Sequence, residues 1–158
     1  MTAPLKKAAP SLYDQDFFAW TLDQAEKLRA RAAFDHRGDL DWDNLAEEIE
    51  SVGRSDRREI RTRMGVLLQH LLKWQVQPAR RGDSWRQTIA EQRLHIGEVL
   101  ADSPSLSGVP AEALDWAYGW AVREAARETG LPLTHFPVLC PYTLPRVFDP
   151  AFLPGDNA

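Results

Sequence analysis

The feature that most constrains the fold of this chain is a run of large apolar side chains in its middle, repeated at the spacing of an α-helix. The intervals are four, three, four and three residues, and the residues are Ile60, Met64, Leu67, Leu71 and Trp74. Two more leucines, at positions 68 and 72, widen this stripe into a broad arc. A broad apolar arc is typical of a helix with several neighbours, so the segment predicts a central helix. Pro78 ends it, because proline lacks an amide donor and disfavours helical geometry at the preceding residue.

Amphipathic stripes on both sides of the central helix predict further helices. Their boundaries are indicated by capping residues, which are Ser11 with Asp14, Asp41 and Gly53, Ser55 before the central helix, Ser84 with Gln87, and Pro110 and Gly130. Thr21 is an alternative start inside the first helical segment. After Gly130 the chain holds six of its 11 prolines, which predicts an irregular strap with one short helical turn near Thr143.

Helices joined by short connections pack most economically as an antiparallel bundle. We therefore predict an all-α antiparallel bundle of about four to six helices, with a proline-rich, mostly irregular C-terminal strap. At 158 residues the chain is long enough for one domain with its own core. The predicted organisation is a flexible N-terminal segment over residues 1–11, one helical domain over 12–144 and a C-terminal tail over 145–158.

The N-terminal segment and the cysteine content predict a cytoplasmic protein. Two lysines near the N-terminus are not followed by an apolar run, so neither a secretory signal nor a membrane anchor is expected. The single cysteine, Cys140, cannot form a disulfide within the chain, in agreement with a reducing compartment. We expect no membrane partner.

Charge is distributed unevenly along the chain, although the net charge is only −4. Residues 1–53 hold 6 basic and 11 acidic side chains, residues 54–93 hold 10 and 4, and residues 94–158 hold 3 and 8. The basic middle indicates either a face for a polyanion such as nucleic acid or a set of charges met by the acidic segments. The second interpretation is favoured because all three segments belong to one small domain.

Several motifs, in order along the chain, resemble one bacterial family. They are LYDQDFFAWTLDQAEKLR, LDWDNLAEEIESVGRSDRREIRTRMGVLLQHLLKWQVQPARRGDSWRQTI, DSPSL and ETGLPLTHFPVLCPYTL. Over about Leu12 to Leu144 the chain resembles the bacterial domain of unknown function 29 family. The resemblance implies an all-α fold of bundle type, and it implies no activity.

The candidate for metal binding or acid-base chemistry is the pair Glu48 and His70. Helical bundles hold such sites through Glu and His on facing helices. Both residues are predicted at the border of an apolar stripe, where two packed helices would bring them together. A structural hydrogen bond at the edge of the core is the simpler interpretation. The chain has no glycine-rich phosphate loop, Cys140 has no activating pattern around it, and we expect no cofactor.

The remaining candidate site is a set of four cations around a predicted helix junction, Lys73, Arg80, Arg81 and Arg86. Two tryptophans lie beside them in sequence, and arginine against an aromatic face can bind a base or a phosphate-bearing ligand. Burial of both tryptophans is the competing explanation. A second group of arginines, at positions 54, 57, 58 and 61, falls about 20 Å away in the first turns of the central helix.

By elimination, the sequence predicts a non-catalytic protein-interaction or accessory module. The alternative is a nucleic-acid or phosphate-ligand binder that uses the four cations of the helix junction. A second alternative is a metal-dependent enzyme that uses Glu48 and His70. Six tryptophans in so small a helical domain are enough for a core and for a partner surface. The sequence leaves the oligomeric state open.

Overall fold

The computed structural model describes residues 9–35 and 38–155, and over these residues the chain is all-α, without a strand. The six α-helices are α1 (Leu12–Gln15), α2 (Phe17–Phe34), α3 (Trp42–Val76), α4 (Asp83–Asp102), α5 (Val109–Thr129) and α6 (Leu144–Phe148). This architecture confirms the predicted all-α antiparallel bundle. In the described part of the chain, no helix is both long enough and apolar enough to span a bilayer.

The centre of the bundle is α3, which packs against α2, α4 and α5. The apolar arc that starts at Ile60 is fully buried, as the sequence predicts for a central helix. The long helices run alternately up and down, so α3 and α5 are parallel to each other. Their contacts advance together along both helices: Arg57 of α3 bonds to Glu112 of α5, and Lys73 bonds to Glu128.

Two glycines set how closely the other helices approach α3. The sequence predicted two helices here, one from Asp41 to Gly53 and the central helix from Ser55, and this prediction is wrong because α3 continues through both positions. A Cβ atom at Gly53 would clash with the Thr21 hydroxyl, so the missing side chain makes room for α2. At Gly65 a Cβ atom would lie 2.7 Å from Cε3 of Trp120 on α5. Both glycines serve packing between helices rather than helix termination.

The first helical segment is divided one turn earlier than the sequence suggests. Ser11 and Asp14 form the predicted capping box of α1. The break then falls at Asp16, whose carboxylate accepts a hydrogen bond from the Ala19 amide and caps α2. The same carboxylate accepts bonds from the amide and hydroxyl of Ser105, at 2.7 and 2.8 Å. Thr21, the predicted alternative start, lies inside α2.

The other predicted helix boundaries are mostly confirmed. Asp41 caps α3 by accepting from the Asn44 amide. Gly130 ends α5 in the left-handed conformation, with φ of 73°. The predicted cap at Ser84 is wrong, because α4 begins at Asp83 and its N-cap is Gly82.

Residues 130–155 cover one side of the bundle. They contain a 3₁₀ turn at Leu133–His135 and then α6, which starts next to the short helical turn predicted near Thr143. The Val147 side chain is fully buried, so packing continues beyond residue 144, where we placed the end of the helical domain. Of the predicted flexible segment 1–11, residues 1–8 lie outside the described residues.

Candidate functional site

Two clusters of cations lie on or beside α3, one toward each end of the bundle. The first, called here the basic junction, is the predicted set Lys73, Arg80, Arg81 and Arg86 at the C-terminal end of α3. The second, called here the arginine groove, is a cleft of about 360 Å³ between α3 and the start of α5, lined by Arg54, Arg57, Arg58, Arg61, Val109, Glu112 and Ala113. Arg61 and Lys73 are about 18 Å apart along α3 at 1.5 Å per residue.

Within the basic junction, Lys73 is turned into the protein. Its side chain is buried, and Nζ lies 2.6 Å from Oε2 of Glu128 on α5. The ammonium group also sits 4.6 Å from the centroid of the Trp85 ring. The hydrogen bond from Lys73 is the main reason that the pKa of Glu128 is lowered. Lys73 therefore joins α3, α4 and α5.

Arg81 of the basic junction is also used within the chain. Its Nε donates to the Trp74 carbonyl at 2.8 Å, and Nη2 donates to the Pro154 carbonyl at 3.3 Å. The guanidinium groups of Arg81 and Arg86 each lie 5.4 Å from the centroid of the buried Trp74 ring. The structure thus brings the four predicted cations to one end of α3, but only Arg80 and Arg86 are exposed.

The structure does not bring Glu48 and His70 together. Both lie on the single helix α3, and 22 residues separate them by about 33 Å. The expectation that two packed helices would join them is wrong, because the predicted break at Gly53 does not exist. Nδ1 of His70 lies 2.9 Å from the Val66 carbonyl, and Glu48 is exposed. Among the described residues, no group of three or more His, Cys, Asp or Glu side chains is placed to hold a metal ion.

The single cysteine has the environment of a packed residue. Burial raises the pKa of the Cys140 thiol, and the thiol donates to the Tyr142 carbonyl at 3.5 Å. A nucleophilic cysteine needs the opposite shift, toward the thiolate. Cys140 therefore lacks the activation that covalent catalysis requires.

The arginine groove is open to solvent, and its cations are only partly neutralised. Arg57 bonds to Glu112 at 2.8 Å. Arg54 reaches Glu47 at 2.5 Å and Glu50 at 3.4 Å. The exposed guanidinium of Arg58 has no ion pair with any described residue.

Two further features make the arginine groove suited to an anionic group. The guanidinium of Arg61 lies 4.3 Å from the ring centroid of Trp116, which keeps 43% of its surface exposed. In addition, α5 begins at the groove, and its N-cap, Gly108, offers no side-chain hydrogen bond. The positive end of the α5 dipole therefore adds to the charge of the arginines.

The arginine groove is the site that the sequence prediction undervalued. Its four arginines occupy relative positions 0, 3, 4 and 7 along α3, a spacing that places them on one helix face. That signal is visible in the sequence. The start of α5 beside them is not visible, because it depends on how the helices pack.

The fold defines a small helical-bundle protein that carries two clusters of cations on or beside α3. The chain belongs to the family described as "Domain of unknown function DUF29", whose model matches residues 12–153. This confirms the resemblance found in the sequence. No curated protein sequence matches the chain.

A solved structure shares the fold. It is the crystal structure of an alpha-helical protein of unknown function from Rhodospirillum rubrum ATCC 11170, at 1.45 Å resolution. The TM-score is 0.70 at 22% sequence identity, and the match covers 89% of this chain and 91% of that one. At this level of identity the likeness shows the fold alone, so the function of the chain has to be inferred from its own surface.

Proposed function

We propose that the protein is a non-catalytic protein-interaction module that binds an acidic surface of a partner through the arginine groove. The observation that carries the proposal is the composition of this groove, where four arginines and one glutamate line a solvent-open cleft. Guanidinium groups pair with carboxylates through two parallel hydrogen bonds, which gives both affinity and orientation.

The surroundings of the arginine groove resemble a protein-binding surface. Arginine and tryptophan are the residue types most enriched among those that dominate the energy of protein interfaces. Here Arg61 and the exposed Trp116 already contact each other, which holds the guanidinium in place before a partner arrives. A positioned group loses less conformational freedom on binding.

A protein partner fits the arginine groove better than nucleic acid does. The four arginines extend over only eight residues of α3, a rise of about 10 Å. Glu47 and Glu50 border them, and the whole chain has a net charge of −4. Nucleic-acid binding usually requires a longer basic track along the phosphate backbone. At the basic junction, the alternative nucleic-acid site, Lys73 and Arg81 are already engaged within the chain.

We place this module in the cytoplasm. The chain has one cysteine, and that residue is half-buried and hydrogen-bonded as a thiol. This state suits a reducing compartment.

The test is a binding titration by fluorescence anisotropy with a labelled peptide rich in Asp and Glu, at low and at high salt. We expect the peptide to bind the wild-type protein, with affinity that falls as salt increases. The double variant Arg58→Glu with Arg61→Glu should lose binding. Its matched control is Arg80→Glu with Arg86→Glu, which makes the same charge change at the basic junction and should keep binding.

Two results would contradict the proposal. One is equal loss of binding in both double variants, which would indicate an effect of net charge alone. The other is tighter binding of a single-stranded oligonucleotide than of the acidic peptide, which would make nucleic acid the natural ligand of the groove.

A further inference from the structure

We infer that the acidic surface bound by the arginine groove belongs to a second copy of the same chain, so that the protein forms a parallel two-fold dimer along α3. This inference rests on the proposed function and names its partner. It is carried by a second charged surface, called here the acidic flank, on the other side of α3. The acidic flank is a cleft of about 540 Å³ lined by Tyr13, Asp14, Phe17, Asp56, Glu59, Val99 and Asp102.

The acidic flank holds more negative charge than its own neighbours neutralise. Of its carboxylates, Glu59 pairs with Arg63 at 2.8 Å. Asp56 and Asp102 have no ion pair with a described residue. Burial is the main cause of the raised pKa of Asp56, and the nearby charges of Glu59 and Asp102 add to it. A cation brought by a partner would relieve this repulsion.

The arginine groove and the acidic flank lie on opposite sides of the same exposed helix edge. Near the middle of α3 this edge runs through the exposed residues Ser55, Arg58 and Thr62. At about 100° per residue, the four arginines centre on one side of the edge, toward α5. Asp56 and Glu59 centre on the other side, toward α4, about 180° around the helix.

This arrangement of charge distinguishes between two ways of pairing identical copies. With a two-fold axis parallel to α3 and along the exposed edge, the arginine side of each copy lies next to the acidic side of the other. With an axis perpendicular to α3, arginines would face arginines and carboxylates would face carboxylates. Opposite charges attract and like charges repel across an interface, so the parallel arrangement is selected.

The parallel arrangement also pairs residues at the same height along α3. Arg58, which has no ion pair within the described chain, would face Glu59 of the second copy, and each such contact would occur twice. Between the two flanks runs a shallow groove of about 490 Å³ that includes Thr62 and Val66. This groove and the exposed Trp116 would supply apolar contact.

The experiment is sedimentation velocity on the full chain at low salt, with two charge reversals that are tested alone and mixed. Arg58→Glu and Glu59→Arg should each weaken self-association by about tenfold or more, because each places like charges across the axis twice. In the Arg58→Glu variant positions 58 and 59 are both acidic, and in the Glu59→Arg variant both are basic. An equimolar mixture should therefore form heterodimers, because opposite charges meet across the axis again. The matched controls are Arg127→Glu on α5 and Glu26→Arg on α2, which lie away from the edge and should dimerise like the wild type.

The outcomes separate this inference from the proposed function. A monomeric wild type that still binds the acidic peptide would overturn the dimer and leave the proposed function standing. A monomer that binds no acidic peptide would overturn both. A dimer that neither reversal weakens, or that the mixture does not restore, would overturn this interface.

Discussion

The basic junction and the arginine groove contain the same kinds of side chain and lie on or beside the same helix, yet only in the arginine groove are all four cations exposed. At the basic junction, α4, α5 and the C-terminal segment all reach the cations: Glu128 and Trp85 enclose Lys73, and the Pro154 carbonyl accepts from Arg81. At the arginine groove, α5 is just beginning and supplies one carboxylate, Glu112. The role of a cation here follows from what neighbouring elements supply, and not from its position in a basic stretch of sequence.

The comparison is tested most strongly by Lys73→Ala. The substitution leaves Glu128 without its ammonium partner and opens space beside Trp85, so we expect the free energy of unfolding to fall by about 2–3 kcal/mol. The loss stays below that of a fully buried pair because the Glu128 side chain is 37% exposed. Urea denaturation at neutral pH measures it.

The control for Lys73→Ala is Arg58→Ala in the arginine groove. Because Arg58 has no ion pair with a described residue, we expect a change of less than about 0.5 kcal/mol in the free energy of unfolding. Equal losses in the two variants would break the distinction between the two clusters.

Arg81→Ala should have an intermediate effect. It removes the donors of two hydrogen bonds, one to the Trp74 carbonyl and one to the Pro154 carbonyl, and we expect the free energy of unfolding to fall by about 1–2 kcal/mol. Amide hydrogen exchange should become faster in residues 150–155, because one of their attachments to the bundle is gone. The neighbouring exposed residue gives the control, Arg80→Ala, and faster exchange in that variant would contradict a specific role for Arg81.

The smallest effect is expected from the titration of His70, which lies one turn before Lys73. Burial chiefly lowers the pKa of His70 below 6.5; the charge of Lys73 acts in the same direction, and that of Glu128 opposes it. The unfolded chain therefore binds a proton more readily at this residue. The contribution of the neutral His70 side chain to the free energy of unfolding is fully present above about pH 6.5 and is lost as the pH drops below that value.

A His70→Gln variant should show a shallower loss of unfolding free energy between about pH 7 and pH 5.5 than the wild type. Arg58→Ala should keep the wild-type slope, because its position is remote from the histidine. An unchanged slope in His70→Gln would show that other groups cause the acid sensitivity.

The parts of the fold that depend on local chemistry could be predicted from the sequence. Pro78 and Gly130 end helices through their own backbone geometry, and the helical spacing of the apolar arc that starts at Ile60 is enough to predict that it is buried. Gly53 misled the prediction because its function involves Thr21, a residue on another helix. A glycine that permits close packing and a glycine that ends a helix look alike in sequence.

The candidate site was predicted only in part, for the same reason. The sequence shows both sets of cations, and the spacing of the arginines on α3 is regular. It does not show that Glu128 reaches Lys73 or that α5 starts beside Arg57, because both facts require the parallel alignment of α3 and α5. The sequence also did not show that Glu48 and His70 are far apart, because their distance depends on α3 being one continuous helix.

The attachment of the C-terminal segment has a consequence for how its sequence can change. Arg93 donates to the carbonyls of Val147 and Phe152, and Arg81 donates to that of Pro154. Every amino acid carries a backbone carbonyl, so these three anchoring points do not depend on which side chains the segment bears. A substitution in this segment can therefore change a buried side chain such as Val147 and still leave the three bonds that hold its backbone to the bundle.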